Sequence, residues 1–436
     1  MTALTGQAGR VLGAGLIVAV TAWAVWPGLH PAPTPGFVLP QAPAATASAQ
    51  APQLFSALIN AAQPPRVHAA SITEEPDGTF YAIWYGGSRE GDTDVALYAA
   101  STLTNSARPL WNKPSALFSA RDTTQGTMQW VRKLGNPVVF TPPGDDPWLV
   151  YVSVTVGGWA TSQLNMVRPA MWDNWFQRPI QRLVTSPFFN MSTLVKGAPV
   201  YYDNGDIGLP VYHEMAGKFA ELLVLTPEGE VRRKIRMDDG RRSLQPEILV
   251  EDAGHAIALM RDATRKQFRV WRSETTNAGR DWSVPESTDL PNPGSALSAL
   301  RLEDGRLLAI ANDTEDERLR LSLLVSADRG HHWRVIHRFE DKQAQLGKNP
   351  TEEEFRLQLA NDIAALGDAR SADEDIIANV MRNMCRKGEC GWQYDYPYLI
   401  RARNGDFHLV YTWNQSFVRH IRFNRAWLQA RLEAAQ

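Results

Sequence analysis

Cysteine is nearly absent from this chain: among 436 residues there are two, Cys385 and Cys390. They enclose the short loop Arg386, Lys387, Gly388 and Glu389, and neither has a His or Cys beside it to complete a metal site. No metal and no cofactor is therefore expected, and in an exported body the pair reads as a disulfide. An excess of either charge is missing as well. Lys and Arg total 45 against 47 Asp and Glu, a net charge of -2. Binding nucleic acid requires a basic surface that displaces counterions, so that class of partner is set aside.

Long apolar runs are missing too, with one exception. Residues 11–26 carry no charge and are almost wholly apolar, with Arg10 before them and Pro27-Gly28 after. The run is short of the roughly 20 residues of a membrane span, and residues 27–29 extend it. The small-residue stretch Ala45-Thr46-Ala47 lies too far downstream for a usual signal-peptide cleavage site. Residues 1–29 are therefore expected to be an uncleaved signal anchor. Positive charge at Arg10, with none following until Arg66, places the body outside the cytoplasm, periplasmic or extracellular. Residues 30–65, rich in Pro, Ala and Gln, read as a flexible tether.

Turn formers and tryptophan are plentiful: 31 Gly, 28 Pro and 15 Trp. Two stretches share one spacing, Thr275-x-Asn277-x-Gly279-x-x-Trp282 and Ser326-x-Asp328-x-Gly330-x-x-Trp333, 51 residues apart. The spacing is that of an Asp-box turn. The Asx side chain caps backbone N–H groups, Gly takes a positive φ, and Trp folds beneath as an apolar plug. Repeated at this period, it predicts four-stranded sheets around an axis, a β-propeller. Short β-rich runs after Pro76-Asp77-Gly78, Gly144-Asp145-Asp146 and Glu303-Asp304-Gly305 agree. Blades are expected near 66–120, 131–190, 194–236, 243–292, 296–340 and 394–425, with an N-terminal strand closing the ring. One segment, about 341–392, breaks the pattern. Capping boxes at Thr351-x-x-Glu354 and Ser371-x-x-Glu374 predict an inserted helical hairpin, with Ile376, Val380 and Met384 on one stripe. It is either decoration on the rim or a lid over the central site.

With Gly135-Asn136-Pro137-Val138-Val139, Arg261 after Ala256-Ile257-Ala258-Leu259-Met260, Arg318 before the second box, and Tyr396-Pro397-Tyr398-Leu399 leading to Val410-Tyr411-Thr412, the body 66–436 resembles, from about His68 to Trp427 and apart from the helical insert, the sialidase superfamily of six-bladed propellers, in its branch with degenerate BNR repeats. The resemblance implies an all-β six-bladed propeller. It also implies an arginine cluster for a substrate carboxylate, since guanidinium forms permanent bidentate contacts with a planar anion. Arg261 and Arg318 match two of the family's three arginines. His68 stands where the first should be, with Arg66 two residues earlier, and a His donates to an anion while carrying charge only part of the time.

The resemblance further assigns the nucleophile to Tyr396 and the proton donor to the loop Arg89-Glu90-Gly91-Asp92-Thr93-Asp94, with Asp94 or Asp92 as the acid. The glutamate that serves the family as base corresponds to Gln245, sixteen residues before Arg261, and an amide accepts no proton. Glu247 or Glu214 is the candidate substitute, and the glutamate that steadies the first arginine corresponds to Thr412. The implied function is a membrane-anchored, sialidase-like glycoside hydrolase acting on an acidic sugar or glycoconjugate. Two alternatives stay open. One is a lyase eliminating across a uronic acid, with His213 or Tyr396 handling the proton; the other is a glycan-binding propeller without turnover.

Overall fold

The computed structural model describes residues 35–40, 51–60, 63–103, 110–168, 178–186, 190–238, 240, 242–347, 349–366 and 373–435. The expected membrane anchor, residues 1–29, lies outside them. Among the described residues no helix is long and apolar enough to cross a membrane.

Six antiparallel sheets form the six blades. The first comprises Arg66–Glu74, Thr79–Gly87, Ala96–Leu103 and Ser115–Ser119, and the second Lys133–Phe140, Trp148–Val154, Ser162–Val167 and Gln181–Arg182. The third is built on Val200–Tyr202, Ile207–His213, Phe219–Leu225 and Val231–Arg236, and the fourth on Ser243–Val250, Ala256–Asp262, Arg269–Thr275 and Glu286–Pro291. Ser298–Arg301, Leu307–Ala311, Leu321–Ser326 and Arg334–Glu340 make the fifth; Tyr394–Arg401, Phe407–Trp413 and Phe417–Phe423 make most of the sixth. Many of these strands are buried from end to end because their neighbours are other blades on both faces, so they read as continuous apolar runs rather than alternating ones.

The segment expected to be a tether is part of the propeller at two places. Leu54–Leu58 pairs with Phe417–Phe423 as the outermost strand of the sixth blade, Leu54 opposite Phe423 and Leu58 opposite Arg419. Phe37–Val38 pairs with Val200–Tyr202 in the third, and Phe37 is buried against Tyr202. The ring is thus closed by a strand from before the first blade, inside the range that composition marked as linker. Alanine and proline content says nothing about pairing when the partner strand lies more than 350 residues away.

Local chemistry fixes the turns. Asp77-Gly78, Asn204-Gly205, Asp304-Gly305 and Asn404-Gly405 each join the first and second strands of a blade, with Gly at φ between 83° and 89°. In each, the Asx oxygen accepts from the N–H two residues on: Thr79, Asp206, Arg306 and Asp406. The Asp-boxes join third to fourth strands. Thr275 Oγ1 and Ser326 Oγ each accept the N–H of the box glycine, at 3.1 and 2.9 Å, while Asn277 Oδ1 and Asp328 Oδ1 cap N–H groups of the next residues. Gly279 and Gly330 stand at φ 76° and 90°. The tryptophans Trp282 and Trp333 are half-buried rather than fully enclosed, packed at the edges of the apolar layers between blades.

The insert is helical. Glu352–Ala365 begins at the Thr351 capping box, with Thr351 N–H donating to Glu354 Oε2 at 2.9 Å. Glu374–Met384 is capped by Asp373, whose Oδ1 accepts from Asp375 N–H, rather than by Ser371, which lies outside the described residues. Val380 is fully buried, and Ile376 and Met384 pack on the same cluster as Phe355, Leu359 and Trp392. Cys385 and Cys390 form a disulfide across a two-stranded hairpin. Two further helices, Ala120–Thr127 and Arg425–Ala434, were not expected from the sequence.

Candidate functional site

Four innermost strands carry the same irregularity. Ala69, Asn136, Gln245 and Tyr396 all have φ between 40° and 52°, and each sits where the pairing register of its strand slips. These are β-bulges with a non-glycine residue in the left-handed region, a conformation costing about 1 kcal/mol or more and concentrated at functional sites. Pro follows three of them: Pro137, Pro246 and Pro397. The bulges turn Asn136, Gln245 and Tyr396 toward one another. Gln245 Nε2 donates to the Tyr396 hydroxyl at 3.0 Å and to the Tyr212 hydroxyl at 3.3 Å; Asn136 Nδ2 donates to Tyr212 at 2.8 Å. Arg261 Nη1 donates to Gln245 Oε1 at 3.1 Å. Because a guanidinium has only donors, Oε1 must face Arg261 and the amide N–H groups must face the phenols. The Tyr396 oxygen therefore accepts from an amide.

Beside this network lies a cavity of about 170 Å³ lined by Arg66, His68, Tyr85, Arg89, Glu90, Arg318, Gln393, Asp395 and Gln415, among others. The first blade supplies one wall. Gly86 lets its second strand approach: a methyl group there would stand 2.6 Å from the Arg66 carbonyl oxygen. The sixth blade supplies the other wall, where Asp395 is fully buried and holds Arg318 Nη1 at 2.6 Å. Burial opposes the charge of Arg318, but Asp395, Tyr396 and Glu90 outweigh it and raise its pKa. Gln393 donates to Asp395 and accepts from Gln415 Nε2 at 2.6 Å. The His68 ring tilts against that of Tyr396, with centroids 4.3 Å apart. Burial, then the like charges of Arg386 and Arg89, pull the Arg66 pKa down. Three guanidinium groups thus share one small cavity with two carboxyls, Asp395 and Glu90.

Glu90 is the residue that sequence reasoning passed over. The loop makes a turn in which Asp92 N–H donates to the Arg89 carbonyl at 3.1 Å with Gly91 at φ 79°, so Glu90 and Asp92 leave in different directions. Glu90 reaches the cavity and accepts from the Tyr85 hydroxyl at 3.2 Å. Burial and the charge of Glu90 push the Tyr85 phenol well up, so it keeps its proton. Asp92 and Asp94, the expected proton donors, are occupied within their own loop and lie outside the cavity lining. Asp94 accepts from Ser88 N–H and Oγ at 2.8 and 3.0 Å; Asp92 pairs with Arg89 at 3.1 Å, which holds its carboxyl below the usual range. The positive-φ glycine within the acidic run was the available signal.

Other expected site residues stand outside the cavity lining. Glu247 is not a base near Tyr396: it is buried and paired with Lys196 at 3.0 Å, and Lys196 also donates to the carbonyls of Leu297 and Pro397, each at 2.7 Å. Burial pushes the Glu247 carboxyl up and the Lys196 ammonium down, while each charge opposes the other's shift. The bulge at Gln245 breaks the alternation that would have put residues 245 and 247 on one face. His213 is 7% exposed, stacked on Phe219 at 4.6 Å and accepting from Ala216 N–H; burial lowers its pKa to about 4. It lies outside the cavity lining, as does Glu214, whose N–H donates to Ser192. Arg261 sits behind Gln245 rather than in the lining, and Thr412 is buried.

No curated protein matches the chain by sequence. Solved structures match its fold. The Hadza microbial sialidase Hz136 is 14% identical with a TM-score of 0.58, over 84% of this chain and 66% of that one. The intramolecular trans-sialidase of Ruminococcus gnavus, solved with oseltamivir carboxylate, is 11% identical with a TM-score of 0.56, over 83% of this chain and 95% of its own. The Trypanosoma rangeli sialidase, solved with sialic acid, is 12% identical with a TM-score of 0.52, over 86% of this chain and 58% of its own. At such identities the likeness fixes the fold alone. Residues 78–409 match the family described as BNR repeat-like domain. With three quarters of its length in that match, the chain belongs to the BNR repeat-like family.

Proposed function

We propose that the cavity binds an acidic sugar and cleaves its glycosidic bond, a sialidase-like hydrolase in which Glu90 takes the place expected for Asp94. The carrying observation is the convergence of Arg66, Arg89, Arg318 and Glu90 on one cavity, with the Tyr396 ring beside it against His68 and Arg318. The guanidinium groups hold the carboxylate of the sugar by charge-assisted hydrogen bonds. Glu90, whose Oε1 accepts from Tyr85, serves as the general acid toward the departing glycosidic oxygen. The Tyr396 oxygen adds to the anomeric carbon as the glycosidic bond breaks, its phenol proton passing to His68, whose ring lies against it; water, giving a proton back to Glu90, then displaces the Tyr396 oxygen, which regains its proton from His68.

A second reading, binding without turnover, is favoured by one observation: Gln245 occupies the place of the base and cannot accept the phenol proton. Elimination from a uronic acid loses one of its two proton carriers, since His213 stands apart from the cavity. The disulfide supports a body outside the cytoplasm, where such bonds persist.

Aryl glycosides of acidic sugars test the choice. Glu90→Gln and Tyr396→Phe should each lower turnover by about 10²–10⁴-fold with ligand affinity retained. Turnover undiminished in both variants overturns the hydrolase, and tight acid binding with no turnover in the parent protein selects the binding reading.

A further inference from the structure

The helical insert ends on the cavity wall. Asn383, in the last turn of Glu374–Met384, accepts from Arg66 Nε at 2.8 Å through Oδ1. Its Nδ2 donates to the Pro65 carbonyl and to Ser416 Oγ, each at 2.9 Å. One turn earlier, Asn379 Nδ2 donates to the same Pro65 carbonyl at 2.8 Å. Arg66 Nε can only donate, so the orientation of the Asn383 amide is determined, and both of its Nδ2 hydrogens are used. With Nε engaged, the two Nη groups are the part of Arg66 left for the cavity.

The chemistry of this contact differs from that at Arg318. Arg318 is held by a carboxylate, which cancels much of its charge before any ligand arrives. Arg66 is held by an amide, which orients the guanidinium and neutralises nothing. Arg386 and Arg89 repel it more than Glu90 attracts it, and the amide clamp holds it beside them. The Cys385–Cys390 disulfide begins two residues beyond Asn383 and fixes the end of the helix that carries the clamp.

Resting on the acidic-sugar reading above, we infer that Asn383 is a positioning residue: an uncharged clamp through which the insert orients the Arg66 guanidinium toward the ligand without adding a counter-charge. The insert is then what sets the preference for acidic over neutral ligands.

Calorimetric titration of the full chain with sialic acid and with its neutral methyl ester tests this. Asn383→Ala should weaken the acid roughly tenfold and leave the ester unchanged, since only the acid uses the aimed charge. Asn383→Ser, which keeps a small donor and acceptor, should restore part of the difference. Equal losses for acid and ester, or no loss for either, overturn the inference. If the parent protein shows no preference for acid over ester, the acidic-sugar reading fails by itself. Hydrogen exchange then decides the clamp: Asn383→Ala should speed exchange in the peptide 63–72, and unchanged exchange there removes it.

Discussion

The Asp-box turns at the outer edge of the propeller and the bulged strands at its axis use the same ingredients, an Asx, amide or hydroxyl side chain beside a residue at positive φ, and put them to opposite ends. In the boxes the caps that shape the turn lie within a few residues: Ser326 bonds Gly330, and Asp328 bonds His332. At the axis the partners come from different blades. Gln245 meets Tyr396 across 151 residues, Asn136 meets Tyr212 across 76, and Arg318 meets Asp395 across 77. A closed local network stabilises a turn and has nothing to offer a ligand. An open network assembled from many blades costs backbone strain at each bulge and leaves groups facing a cavity.

The sharpest way to break that contrast is to attack the axis where it is closed. Lys196 joins Glu247 of the fourth blade to carbonyls of the fifth and sixth, one of them next to Tyr396. Lys196→Met leaves Glu247 buried without its counter-ion and should cost about 3–5 kcal/mol in denaturant unfolding. Lys196→Met with Glu247→Leu should recover much of the loss. A small loss in the single variant would mean that the axis is no better knit than the rim.

Acid probes the interior next. His408 and His420 are fully buried, 3.0 Å apart through Nδ1 and Nε2, and Trp111 donates to His420 at 3.2 Å. Burial lowers the pKa of both, that of His420 to about 3. Each is neutral when folded and gains a proton on unfolding, so its contribution is whole above about pH 6.5. Stability should fall progressively as the pH drops through 6.5 toward 3. His420→Gln should flatten that slope in thermal melts, whereas an unchanged slope would assign the acid sensitivity elsewhere.

Changes in the boxes should be smaller and silent at the site. Trp333 is half-buried, so Trp333→Ala should cost about 1–2 kcal/mol. Ser326→Ala removes the cap on Gly330 and should cost about 1 kcal/mol. Ligand affinity should not move in either, and a tenfold change would show that rim and axis are coupled. Smallest of all are Asp92→Asn and Asp94→Asn, expected to stay within a few-fold of parent turnover, while Glu90→Gln does not.

The same contrast explains what the sequence disclosed. The boxes, the Asx-Gly hairpins and the Thr351 cap were legible because each is complete within a few residues, and from them the blade boundaries followed. Arg318, His68 and Tyr396 were found through family resemblance. Glu90 was missed because the choice among three carboxyls depends on the turn at Gly91, and Glu247 was misplaced because a bulge at Gln245 reverses the alternation of a regular strand. Leu54–Leu58 and Asn383 were hidden for another reason: their partners, Phe417–Phe423 and Arg66, are fixed by ring closure and not by neighbouring sequence.

Arginine charge in the axial cavity should select an acidic sugar over a neutral one. Titrating the parent protein with sialic, glucuronic and galacturonic acids, each beside its methyl ester, measures it directly. At least one acid should bind about tenfold more tightly than its ester, and Arg66→Ala should erase most of that difference. If every ester binds as tightly as its acid, or no acid binds at all, the account is wrong.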